Sequence, residues 1–153
     1  MGISENGVKG DRPQATSISH ERIFYLIKTL EQDLPPLFER DISYDIYSQD
    51  ICFTDPINTF HRKWVYRVVY WSLRFHAKLF FTHIKLDLHD VRQVAPNALE
   101  AHWMVRGTLL LPWKPEVHFN GTSNYTINSD GLIYKHVDTW DRHPLEVLKQ
   151  FFP

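Results

Sequence analysis

The order of patterns along the chain predicts an α+β domain, in which a curved, mostly antiparallel sheet forms a cone and N-terminal helices pack on its concave face. Three observations carry this. Apolar residues recur at helical spacing in the first third and again over residues 61–81. Strict two-residue alternation begins at Ile84 and persists toward the C-terminus. Proline, glycine and asparagine then cut the later β region into four consecutive strands, the pattern of a meander.

The elements follow in order. Residues 1–17 are polar with three glycines and are expected to form a flexible leader ahead of a single domain over 18–153. Ser19 is a good helix cap, Glu21 suits the first turn, and Ile23, Ile27, Leu30 and Leu34 form one apolar stripe. Pro35 and Pro36 stop that helix. Ile51 and Phe53 mark a strand that ends at Asp55-Pro56. The stretch "HRKWVYRVVYWSLRFHAKLFF" is the longest helical pattern. Its stripe Trp64, Val68, Trp71, Phe75 and Leu79 is expected to face the core, with Lys63, Arg67, Arg74 and Lys78 on the opposite side. "IKLDLHDV" and "ALEAHWMVRGTLLL" read as strands, with a bulge expected at Gly107. The prolines of "PWKP" interrupt pairing, "EVHFNGTSNYTI" resumes it, a turn falls at Asn128–Gly131, and "GLIYKHVDTWD" is the last strand. "PLEVLKQFF" closes the chain as a short helix.

Bulk composition narrows the function classes. Seventeen Lys and Arg against eighteen Asp and Glu leave no basic excess, which argues against nucleic-acid binding. Cys52 is the single cysteine, so no internal disulfide and no cysteine-based zinc site can be built, which suits a reducing compartment. No apolar run is long enough for a transmembrane helix, and the first residues lack a secretory core. A cytoplasmic location is expected, or a plastid one if a transit peptide has been removed. The histidines show no recognisable metal-ligand spacing, so neither a metal nor another cofactor is expected.

The order of elements, the stretch Tyr47 to Pro56 ("YSQDICFTDP") and the closing run Gly131 to Asp141 resemble the nuclear-transport-factor-two-like superfamily. That superfamily includes steroid isomerases, scytalone dehydratase and polyketide cyclases. "DLPPLF", "FTDP", "LLPWKPE", "F-x-GTS" and "H-x-D-x-WD" look more specifically like an uncharacterised domain family of plants and cyanobacteria. Some of its members are fused to SOUL-type haem-binding domains. The resemblance implies a conical pocket and leaves the reaction open.

The candidate site centres on His136 and Asp138. They lie two residues apart on a strand and so share a face. A carboxylate beside an imidazole fixes its tautomer and suits a general base; the alternative is a hydrogen-bonded structural pair. Tyr47, Asp55, Tyr70, Trp103, Tyr134 and Trp140 are expected to line the pocket. For Asp55 turn chemistry is the preferred explanation, and for Trp103 core packing is the alternative. The basic helix stripe suits either an acidic or membrane partner or plain solvation. Two functions stay open. One is a binding module for a small apolar or amphipathic ligand, or a partner-docking sheet that also allows a homodimer. The other is a small cofactor-independent isomerase, lyase or cyclase with His136 as base, Asp138 orienting it, and Tyr47 or Tyr70 stabilising charge on oxygen.

Overall fold

The computed structural model describes residues 17–152. All but the last residue of the expected leader therefore lies outside the described residues. The first helix, α1 (His20–Asp33), starts where the sequence marks it: Ser19 is extended and its hydroxyl accepts the Arg22 N–H at 3.1 Å. A turn and a short 3-10 segment (Tyr44–Ile46) lead into β1 (Tyr47–Thr54), followed by β2 (Thr59–His61) and the long helix α2 (Lys63–Phe80). Four strands come next: β3 (Phe81–Ala95), β4 (Ala98–Leu109), β5 (Glu116–Ile127) and β6 (Ile133–Trp140). Helix α3 (Pro144–Lys149) follows, capped by the His143 ring.

The six strands form one curved open sheet in the order β2-β1-β6-β5-β4-β3. Every pairing is antiparallel except β1 with β6, which run parallel. Helices α1 and α2 pack on this sheet, and their buried residues meet those of β1 and β3–β6 in one core. Alternation along β4 and β5 sends Leu99, Ala101, Trp103 and Val105 and then Ser123, Tyr125 and Ile127 inward.

Two expectations are corrected here. Gly107 lies in regular register with both neighbours; the irregularities sit in β3 instead, one of them at Thr82, beside it. A Cβ at 107 would sit tightly against the His83 carbonyl and the Phe81 ring, each 3.0 Å away, so glycine suits the position. The second correction concerns α2. The stripe expected inside faces out: Trp64 is 64% exposed and Trp71 56%, and Val68, Phe75 and Leu79 are exposed as well. The buried face is Tyr66, Tyr70 and Ala77. At about 100° per residue the basic residues are not opposite the apolar stripe but border it along one side. The helix is apolar on two faces, so hydrophobicity alone does not choose between them. Tyr66 turns inward onto His136, which takes its hydroxyl's hydrogen bond, and Tyr70 lies one turn on, bonded to Tyr66.

Candidate functional site

Three elements build the site. The inner face of β6 supplies His136 and Asp138, β5 supplies Ser123 and Tyr125, and α2 supplies Tyr66 and Tyr70, spaced four apart and therefore on one face. His136 is 1% exposed and stacks on the Tyr125 ring at 4.5 Å, with Phe53 at 4.6 Å. Both of its ring nitrogens are engaged. Nε2 lies 2.6 Å from Asp138 Oδ1, and Nδ1 lies 2.8 Å from the Tyr66 hydroxyl. A carboxylate only accepts, so the imidazole proton sits on Nε2. With the proton on Nε2, Nδ1 accepts from Tyr66, which in turn accepts from Tyr70 at 3.2 Å.

The network continues on the other side of the carboxylate. Ser123 donates to the same Asp138 Oδ1 at 2.5 Å and receives the Trp103 indole N–H at 2.9 Å. Oδ1 thus takes two hydrogen bonds, while Oδ2 receives none from the described residues. Burial pushes the tyrosine hydroxyls of this cluster, Tyr47, Tyr66, Tyr70 and Tyr125, well above the ordinary phenol range. All four are therefore uncharged near neutrality; Tyr66 and Tyr70 are hydrogen-bonded within the cluster, while the Tyr125 hydroxyl is buried with no partner among the described residues.

A cavity of about 150 Å³ opens beside this network. Its wall is mostly apolar, with Leu34, Phe38, Phe53, Val69, Leu86 and Phe119 among the lining residues. The polar groups on it are Asp55, Tyr70, Ser123, His136 and Asp138, and the exposed Leu73 marks its mouth.

The structure brings together most of the residues singled out from sequence: Asp55, Tyr70, Trp103, Trp140, His136 and Asp138 all lie on the cavity. Asp55 also does turn work, its Oδ1 accepting the N–H groups of Ile57 and Asn58 at 2.8 and 2.6 Å. Tyr47 lies elsewhere, buried in the core with its ring 4.9 Å from Tyr66 and not on the cavity wall. Tyr134 is a correction. It is 37% exposed and away from the cavity, because Ile127 pairs with Ile133 while Thr126 pairs with Lys135, which leaves Tyr134 as the extra residue of a bulge. Tyr66 and Ser123 were missed. The four-residue step from Tyr66 to Tyr70 was the available signal for the first, and the inward phase of "F-x-GTS" for the second. Among the described residues no group of three His, Cys, Asp or Glu side chains could hold a metal ion.

The sheet with its packed helices has the nuclear-transport-factor-two-like fold, and solved structures superpose on it. One is an NTF2-like protein of unknown function from Cytophaga hutchinsonii, with TM-score 0.59 and 13% identity, covering 80% of this chain and 99% of that one. Another is SalBIII, an epoxide hydrolase/cyclase-like enzyme of pyran ring formation in salinomycin, with TM-score 0.57 and 13% identity over 78% of this chain and 90% of that one. At such identity the likeness is one of fold. The chain belongs to the family described as "Uncharacterized conserved protein (DUF2358)", whose model matches residues 25–136. It is 29% identical over 138 residues to the human uncharacterized protein C6orf136, a match covering 81% of this chain and 44% of that protein. The chain thus spans less than half the length of this relative. No described helix is long and apolar enough to cross a membrane.

Proposed function

We propose that the domain is a binding module whose cavity takes a small apolar or amphipathic molecule, anchored at one polar point by Asp138. The observation that supports this is the contrast on the cavity wall. Its surface is largely apolar and its polar network is internally paired, yet Asp138 keeps one oxygen without a protein partner. Such a site selects by shape and by one hydrogen bond or charge. Its volume suits a ligand near the size of benzene, which occupies an engineered cavity of about that size in another protein.

The test is a panel of small phenols, aromatic amines and cyclic ketones, with the Trp103 and Trp140 indole resonances followed by NMR, beside native mass spectrometry for a co-purified molecule. Binding should shift both indoles, and Asp138→Asn should weaken the amines while sparing apolar ligands. If nothing co-purifies and no compound moves either indole, the cavity is not a binding site.

The free Asp138 oxygen also favours a second reading, a small isomerase, lyase or cyclase. In it Asp138 rather than His136 meets the ligand, because both imidazole nitrogens are already engaged. Asp138 would remove a proton from carbon next to a carbonyl, and Tyr70, which lies on the cavity, would turn its O–H from Tyr66 to the oxygen that gains charge. Deuterium exchange into a bound ketone, abolished by Asp138→Asn with binding retained, separates this reading from the first.

A further inference from the structure

We infer that the outward face of α2 docks on the surface of an anionic lipid bilayer. Trp64, Val68, Trp71, Phe75 and Leu79 advance in steps of four, three, four and four, and so stand in one row along an 18-residue helix about 27 Å long. All five are exposed, and the Trp71 and Phe75 rings stack on each other at 5.3 Å. The apolar surface continues past the helix end. The Phe80 carbonyl accepts the Leu110 N–H at 2.8 Å, and the exposed Leu110 and Phe152 share a groove with Leu79 and Phe80. An apolar surface this continuous marks a contact face.

Charge decides the occupant. The chain as a whole is near neutral, yet α2 holds four basic residues and no acidic one. Arg74 is held by Asp41 at 2.9 Å, and Arg67 lies over the Tyr44 ring at 4.5 Å. Lys63, Arg67 and Lys78 form no ion pair among the described residues and border the apolar row on one side. A row with two tryptophans and a basic edge is the form of a helix lying in a lipid headgroup layer, its rings at the acyl boundary and its cations at phosphate level. A second copy is the competing occupant, but α2 carries no carboxylate that could pair with the basic edge of the other copy across a two-fold contact.

The experiment is co-sedimentation of the full chain with vesicles of phosphatidylcholine and phosphatidylserine in equal parts, and with phosphatidylcholine alone, at low and high salt. The chain should sediment with the anionic vesicles and be released by salt. The Trp64→Ala/Trp71→Ala and Lys63→Glu/Lys78→Glu variants should each weaken binding by about tenfold or more. These side chains lie at the surface, and a native circular dichroism spectrum checks each fold. Asp138→Asn should bind vesicles like the parent, which keeps this result separate from that of the cavity. Failure to sediment with anionic vesicles, binding unaffected by the tryptophan variant, or a solution dimer that the tryptophan variant turns to monomer would each overturn the inference.

Discussion

Tyr66→Phe removes one oxygen atom from the centre of the polar network and leaves the ring in place. The ring contacts with Tyr47, Tyr70 and Phe53, at centroid distances of 4.9, 4.9 and 5.7 Å, survive, so no cavity is created. What is lost is the 2.8 Å hydrogen bond to His136 Nδ1 and the 3.2 Å contact with Tyr70. His136 is fully enclosed, so Nδ1 becomes an unsatisfied buried acceptor, at a cost of about 1–3 kcal/mol. With the weaker Tyr70 contact added, the expected loss is about 2–3 kcal/mol. In a domain of this size that lowers Tm by roughly 5–10 °C. Urea unfolding followed by circular dichroism measures the loss. In a His136→Leu background the same substitution should cost much less, because the two act as a pair. A loss below about 0.5 kcal/mol in the parent chain, typical of an unremarkable surface change, would refute the view that this hydroxyl holds the imidazole.

Two further outcomes follow from other parts of the structure. Gly121→Ala should destabilise the domain by about 1–3 kcal/mol, because the added methyl overlaps the Trp103 ring; thermal melting measures the loss, and indole fluorescence should report the displaced ring. Asp141 gives a pH signature. Burial works against its charge, but hydrogen bonds from the Asn120 backbone and side chain, at 3.0 and 2.9 Å, hold its carboxyl below the usual range. Its contribution to stability is therefore complete above the ordinary carboxylate value of about 4 and is lost as pH falls through the lower folded value. Asp141→Asn should make the urea midpoint fall less between about pH 6 and about pH 3 than in the parent chain; an equal fall in both would count against it.

The sequence was most legible where structure is decided locally. Ser19 caps α1 because its hydroxyl reaches an N–H three residues on, a relation contained in the sequence itself. Alternation likewise put His136 and Asp138 on one face, and the hydrogen bond between them follows. Features that depend on distant contacts were harder to read. Nothing near Tyr134 announces the bulge that turns it outward, since that is a matter of register with β5. The inward face of α2 is chosen with a hydrogen-bond partner seventy residues away on β6, His136. The larger hydrophobic stripe, which a local reading prefers, is left at the surface.

The parallel seam between β1 and β6 has a consequence for how the chain reaches this structure. Phe53 lies beside His136, so a strand from the first third of the chain waits for one of the last elements before its inner edge is covered. Helix α2 and the β3–β4–β5 meander are all made in between. Closing a loop of that length costs entropy before it returns any contact, which predicts slow folding with the seam formed late. During synthesis, β1 with β2 is an unfinished edge until β6 leaves the ribosome. A chain cut before residue 133 should therefore be prone to aggregation rather than simply less stable.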